Sequence, residues 1–319
     1  MKALITGISG FLGSHLCEHL LACGDQVLGL SRAGNGMPET SPAATVAIAT
    51  WDLAECERPD HEAEHAIAQF APDCIFHLAA QSVPRYCGQG QPTEAAWNIN
   101  VRGTERVIAL AQRLASSPRL ILASSGEVYA RPPQHFLIVE DHPLEAHNAY
   151  AATKLAAEAA VRHAVHTSGL NGVIVRSFQH AGPRQDGALM MAEWAKQLVD
   201  DQADVVRVHS LNVQVDVSDV RDACRGYRLL ALHGARGEAY NLGSGTRQRT
   251  GDILQAMCDL SGTHKRIVEQ RPGVRHNPIA DCRKLRRLVD WHPQVPILTT
   301  AADTLAWWKQ QRVLAASER

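Results

Sequence analysis

What this chain lacks first is an excess of charge. Its 32 lysines and arginines nearly balance 33 aspartates and glutamates, leaving a formal net charge of -1 over 319 residues. With no basic field to hold a polyanion, nucleic acid is not expected as a partner. Long apolar runs are also missing. None approaches the ~20 residues that cross a bilayer, so no membrane partner is expected. The opening MKALITGISG reaches glycine within ten residues and reads as a strand and turn, not an export signal. Paired cysteine spacing is absent too. Cys17, Cys23, Cys56, Cys74, Cys87, Cys224, Cys258 and Cys282 stand singly, with no C-x-x-C. Reduced thiols, several of them buried, in a cytoplasmic protein are the expectation. HEAEH at 61–65 fits the H-E-x-x-H zinc pattern. Its polar flanks, and Ala66, Ile67 and Phe70 as the buried side, make it a solvated helix face, so no metal is expected.

What is present is alternation. The chain is 45% hydrophobic, enough for one large or two modest cores. Apolar runs at 2–6, 26–30, 45–50, 73–79, 119–124 and 172–177 read as strands. Helical patterns fall at 11–22, 61–70, 93–115 and around residue 150. Strands alternating with helices imply an α/β fold, a parallel sheet covered on both faces. After about 178 the rhythm changes. Helices are expected near 187–200, 218–233, 250–261 and 299–314, with a short strand near 204–208 and a proline-rich loop at 292–296. The expected architecture is a Rossmann doubly wound sheet with a smaller mixed C-terminal substrate domain. Residues 1–177 form the first unit and 178–319 mainly the second, interleaved with the first around 209–242.

LITGISGFLGSHL (4–16) spaces Gly7, Gly10 and Gly13 at a strand-to-helix turn. Small residues there let backbone approach a pyrophosphate, which a helix N-terminus favours. The second strand ends GLSRAG, placing Ser31 and Arg32, and no carboxylate, where the adenosine ribose is read. That favours NADP(H), with NAD(H) as the alternative. Asp52 and Leu53, after the third strand, are candidates for adenine contact.

HNAYAATKLAAE (147–158) sets Tyr150 four residues before Lys154 with only small residues between. On a helix the two share a face. They are either a chance pair or an acid, a phenol drawn toward neutrality by a cation.

These pieces together resemble a family. Gly7–Gly13, HLAAQS (77–82), NINVRGT (98–104), SSGEVYA (124–130) and Tyr150-x-x-x-Lys154 are similar to the extended short-chain dehydrogenase/reductases of the NAD-dependent epimerase/dehydratase family, which act mainly on nucleotide sugars. The resemblance continues through RSFQHAGPRQ (176–185), DVSDVRDA (216–223), YNLGSG (240–245) and RPG (271–273). SSGEVY, GPRQ and DVRDA in this order are most like GDP-4-keto-6-deoxy-D-mannose reductases.

The resemblance implies roles. Tyr150 would be the general acid/base, with Lys154 holding the nicotinamide ribose and lowering the Tyr150 pKa. Ser125 would hydrogen-bond the reacting oxygen, and Ser124 would serve strand-end packing. Glu127 would be either a proton-abstracting base or a substrate hydrogen-bond partner; the acid that dehydratases often carry just before it is Gly126 here. Besides the glycines, Ser31, Arg32, Asp52, Leu53, Tyr150 and Lys154, cofactor contacts are implied for Phe11, Leu12, Leu78, Ala79, Ala80, Asn100 and His180. Substrate contacts are implied for Gln81, Ser82, Gln179 and Arg271.

Two departures stand out. Val215 occupies the place of an arginine that meets the substrate diphosphate in many relatives; Arg207, Arg221 or Arg275 would have to substitute, or the substrate differs. Gln179 in FQH replaces a common asparagine. The implied function is an NADP(H)-dependent reductase of a 4-keto-6-deoxy nucleotide sugar. The alternatives are a 4-epimerase with tightly held NAD, a 4,6-dehydratase, and a non-catalytic dinucleotide sensor. A homodimer through a four-helix bundle is implied, with Val101, Val107, Leu155 and Val161 as its apolar positions.

Overall fold

Burial on both faces explains the apolar strands. The computed structural model describes residues 1–33, 41, 43–131 and 136–317. The first half runs β1 (Lys2–Thr6), α1 (Phe11–Ala22), β2 (Gln26–Ser31), β3 (Ile48–Thr50), α2 (His61–Phe70), β4 (Cys74–His77). It continues with α3 (Glu94–Trp97), α4 (Gly103–Arg113), β5 (Arg119–Ser125), β6 (Leu137–Ile138), α5 (Ala149–Thr167) and β7 (Gly172–Ser177). The helix expected over 93–115 is interrupted by a π-helical turn at Asn98–Arg102. There Asn100 swings inward; its amide donates to Gln81 O at 3.1 Å and to Thr153 Oγ1 at 2.9 Å. Such turns often mark functional places in a helix.

Side chains cap the helices that matter. Asp60 accepts from Ala63 N to start α2, and Asn148 accepts from Ala151 N to start α5. His61 and His65 of the HEAEH stretch are exposed on α2, while Ile67 is buried and Ala66 and Phe70 are half-buried.

The second half runs β8 (Gln179–Ala181), α6 (Met190–Leu198), β9 (Val205–Val208), β10 (Val213–Val215), β11 (Val217–Asp219), α7 (Val220–His233) and β12 (Ala239–Leu242). Then come β13 (Gln248–Arg249), α8 (Thr250–Ser261), β14 (Arg266–Glu269), β15 (Arg275–His276), β16 (Ile279–Ala280), α9 (Arg283–Val289) and α10 (Ile297–Ser317). The main sheet has seven strands in the order β12-β7-β5-β4-β1-β2-β3, all parallel. Chain direction across the sheet reverses between β1 and β4, which places a crevice beyond their carboxyl ends. Thr6 pairs with His77 there, and Ser125 with Ser177.

Neighbouring residues on one strand serve opposite faces. Ile5, Phe76 and Ile121 pack with Leu16, Leu20 and Tyr227 on the α1 and α7 side. Leu4, Ile75 and Leu122 pack with Ile67, Val107 and Val161 on the other. A separate core gathers Trp194, Leu198, Val206, Ile253, Met257 and Leu305 under small two- and three-stranded sheets.

Val101, Val107 and Val161 are buried within the chain itself, at 5%, 0% and 1% exposure. Val107 and Val161 cover the sheet, and the three leave no surface for a partner, contrary to their expected place at a dimer face. Among the described residues no helix is long and apolar enough to cross a membrane. All eight cysteines are free thiols, five of them buried.

Candidate active site

The glycine turn follows from steric need. Gly7 has φ +70, a left-handed conformation that favours glycine. A Cβ on Gly13 would stand 2.2 Å from Gly7 O, and one on Gly7 would stand 2.9 Å from Ala79 Cα. So α1 begins hard against the turn and against the end of β4. Gly10 caps α1 with no side chain, leaving its first N–H groups open toward the crevice. That arrangement suits an anion. The residues therefore fit a dinucleotide pyrophosphate.

A cavity of about 970 Å³ opens from this turn. Ser31, Arg32, Asp52 and Leu53 line one end; Leu78, Ala79 and Ala80 follow from β4. Asp52 accepts from Ala54 N at 2.8 Å, which commits one of its oxygens to its own turn. Phe11 and Leu12 face the same space, and the Phe11 ring stacks on His180 at 5.7 Å. Burial lowers the His180 pKa, and its Nδ1 lies 3.2 Å from Phe178 O. Farther along stand Gln81, Ser82, Gln179 and the Ser125–Glu127 turn.

Tyr150 and Lys154 reach the cavity from α5. Both are buried, at 8% and 6% exposure, and Ser125 stands at 9%. Lys154 Nζ lies 5.8 Å from the Tyr150 ring centroid and donates to Ala123 O at 2.8 Å. Burial dominates the electrostatics. It lowers Lys154 to about 8 and raises the Tyr150 phenol above its ordinary value, while the Ser125 hydrogen bond pulls the phenol back down. Burial is the dominant influence on the Tyr150 phenol, which keeps its proton. A protonated phenol and a serine hydroxyl side by side can donate two hydrogen bonds to one oxygen.

Two implied site residues lie elsewhere. Asn100 is 2% exposed, with its amide given to Gln81 and Thr153 behind the cavity wall. It braces the wall, with both amide protons committed to the protein. Arg271 is exposed on the loop between β14 and β15 and does not line the cavity. Val215 is 2% exposed and packs into the separate C-terminal core, so no side chain there faces the substrate. Arg221 is held by Asp219 and Asp303. Arg275 stands two residues before cavity-lining Asn277 and neighbours Val213 across β10.

Sequence reasoning passed over Gln185 and Asp216, which also line the cavity. Gln185 Nε2 donates to His180 O at 2.7 Å; Asp216 gathers the Ser244, Gly245 and Ala280 amides. GPRQ and DVSD held these residues, but nothing in their spacing separates a cavity wall from a loop.

A parallel sheet that ends in an uncapped helix start, with a phenol, an amine and a hydroxyl converging on one cavity, defines a dinucleotide-binding oxidoreductase. The chain belongs to the NAD dependent epimerase/dehydratase family, the extended short-chain dehydrogenases/reductases, whose family model matches residues 3–243. It is 28% identical to GDP-6-deoxy-D-mannose reductase of Pseudomonas aeruginosa, over 97% of this chain and 98% of that protein. It is also 28% identical to UDP-glucose 4-epimerase of Mycolicibacterium smegmatis, over 98% of this chain and 99% of the relative. The solved structure of RMD from Pseudomonas aeruginosa complexed with NADPH superposes with a TM-score of 0.79 at 26% identity. The match covers 97% of this chain and 99% of that one.

Proposed function

We propose that the protein is an NADP(H)-dependent reductase of a 4-keto-6-deoxy nucleotide sugar. One observation carries the reading: Ser125, Tyr150 and Lys154 converge on a cavity continuous with the glycine turn, and Arg32 stands at its adenosine end without a carboxylate on β2. Bound nicotinamide supplies the hydride. Tyr150 gives a proton to the sugar carbonyl oxygen, and Ser125 donates a second hydrogen bond to it. The two steady the charge that develops there, the largest electrostatic contribution in such sites. Lys154 orders the ribose beside Tyr150. Residues 1–177 hold the dinucleotide, and 178–319 mainly the sugar nucleotide.

Reduction is favoured over dehydration by the packing at Gly126. A Cβ there would meet the Phe178 ring at 3.2 Å, so the extra acid of a dehydratase has no room without displacing that ring. Similarity to a GDP-6-deoxy-D-mannose reductase, and to a structure with NADPH, supports the same choice. With position 215 occupied by valine, Arg275 at the start of β15 and Arg271 on the loop before it are the cations proposed to meet the diphosphate. A homodimer is proposed through α4 and α5, whose half-buried and exposed positions include the small residues Ala156, Ala159 and Ala160; light scattering measures it.

The test mixes the purified protein with NADPH and GDP-4-keto-6-deoxy-D-mannose and follows cofactor oxidation. Substrate-dependent loss of NADPH supports the reading. Protein that purifies with NAD in place, and interconverts UDP-glucose and UDP-galactose with no cofactor added, replaces it with the epimerase.

A further inference from the structure

Tyr150, Lys154 and Glu158 follow one another at four-residue steps on α5, so they share a face. Each meets the end of β5. Tyr150 takes the Ser125 hydrogen bond, Lys154 Nζ donates to Ala123 O at 2.8 Å, and Ser124 Oγ donates to Glu158 Oε1 at 2.5 Å. Three successive residues of β5 are thus tied to three successive turns of the helix.

Glu158 is itself clamped from the next strand. Arg176 of β7 donates from Nε to Oε1 at 2.9 Å and from Nη2 to Oε2 at 2.7 Å. Glu158 and Arg176 are 2% and 1% exposed. Arg176 Nη1 continues to Tyr129 Oη at 3.1 Å and to Glu140 O at 2.9 Å. Tyr129, just past the Ser125–Glu127 turn, donates to Asn241 Oδ1 at 2.6 Å. One ion pair therefore joins α5, β5, β7, the turn carrying Glu127, and β12. Apolar residues of similar volume often stabilise a core as well as such a pair, so stability alone is a weak account of its presence.

We propose that Glu158 and Arg176 are positioning residues, which hold the end of β5 in register with α5 so that Ser125, Tyr150 and Lys154 converge. The proposal rests on the catalytic reading of those three groups. Charge follows the same geometry. The groups around Lys154 are Tyr150 and Glu158 on its own helix, Cys87 on the turn after Val83, and His77 at the end of β4. Burial keeps Cys87 a thiol and His77 neutral. Burial opposes the Lys154 charge, while Cys87 and then Glu158, backed by Arg176, support it.

The test compares Ser124→Ala, Glu158→Gln and the charge-balanced Glu158→Leu/Arg176→Met with the parent. In the balanced variant kcat should fall about 100-fold, while KM for NADPH stays within about twofold. Ser124→Ala should fall about tenfold and add nothing when combined with the balanced variant, because both act through one contact. Lysine NMR of the protein without substrate should show Lys154 titrating at lower pH in Glu158→Gln. A folded balanced variant turning over at nearly the parent rate overturns the proposal. If that variant does not fold, an undiminished Ser124→Ala overturns it. The Lys154 titration needs no sugar, so it judges the proposal even where the keto-sugar proves not to be the substrate. Tyr150→Phe judges the catalytic reading separately.

Discussion

His147 Nε2 lies 3.0 Å from Glu127 Oε2, and Asn148 Nδ2 donates to the same oxygen at 3.3 Å. The first residues before α5 thus hold one oxygen of a carboxylate that lines the cavity. Among the described residues, Oε1 makes no hydrogen bond with the protein. Glu127 is therefore aimed and half-committed, as suits a partner for a sugar hydroxyl. Replacing Glu127 with Gln weakens that bond without emptying the place. A charge-assisted bond contributes about 1.5–3 kcal/mol, so kcat/KM for the keto-sugar should drop about 10- to 100-fold, mostly through KM. Steady-state kinetics check this. A loss confined to kcat, together with solvent deuterium entering the product carbon skeleton in the parent, would instead make Glu127 a base.

Tyr150→Phe removes the phenolic proton while leaving the ring in its pocket with Cys87, Ala96 and Ala149. General acid catalysis contributes about 10²–10⁴-fold, so kcat should fall by about that factor. NADPH affinity, read by fluorescence titration, should stay within about threefold. An undiminished rate removes Tyr150 from the proton-donor role.

Legibility followed the physical cause of each feature. The glycine turn was readable because a left-handed φ and a missing Cβ are written as residue identities at Gly7 and Gly13. The main strands were readable because burial on both faces leaves plain apolar runs, as in Gly172–Ser177, where all six residues are buried. Strands of two or three residues, such as β13 and β16, are too short to show a period. Asn100 read as a cofactor contact, yet the π-helical turn directs its amide to Gln81 and Thr153, which no spacing reveals. Arg271 matched a motif, but a motif does not say which way a loop turns. Val101, Val107 and Val161 looked surplus to one apolar stripe because the sheet and the neighbouring helix both need covering. The Glu158–Arg176 pair joins two elements 18 residues apart and left no local signal.

Arg32 is exposed and lines the cavity at the end of β2, beside buried Ser31. Its guanidinium suits a 2′-phosphate, and no carboxylate on β2 repels one. Arg32→Ala should raise KM for NADPH about tenfold or more, the size of a lost charge-assisted bond, and leave KM for NADH unchanged. Equal effects on the two cofactors would place Arg32 outside the phosphate contact.

Histidines held neutral by burial, His77 and half-buried His15 foremost, make the fold sensitive to mild acid. His77 Nδ1 lies 2.8 Å from Thr6 Oγ1, and Nε2 lies 3.0 Å from Thr104 Oγ1. Thr6 Oγ1 already accepts from Leu78 N and Ala79 N, both at 3.1 Å. Its own proton therefore points to Nδ1, which acts as an acceptor in a neutral ring. Burial lowers His77 to about 3 and His15, behind the glycine turn, to about 4. The unfolded chain takes up these protons near pH 6.5 while the folded one does not, so stability is lost as pH falls from about 6.5. Each histidine should cost on the order of 2 kcal/mol by pH 5. Carboxylates held low, such as Glu18 and Asp219, act below this window. Asp216 and Glu140, raised by burial, oppose the trend. Melting temperature should fall between pH 7 and pH 5, and less steeply in His15→Asn, where one of these groups is gone; His19 and His180, also lowered by burial, add to the same trend. A melting temperature flat across that range would show that both rings accept protons inside the folded chain.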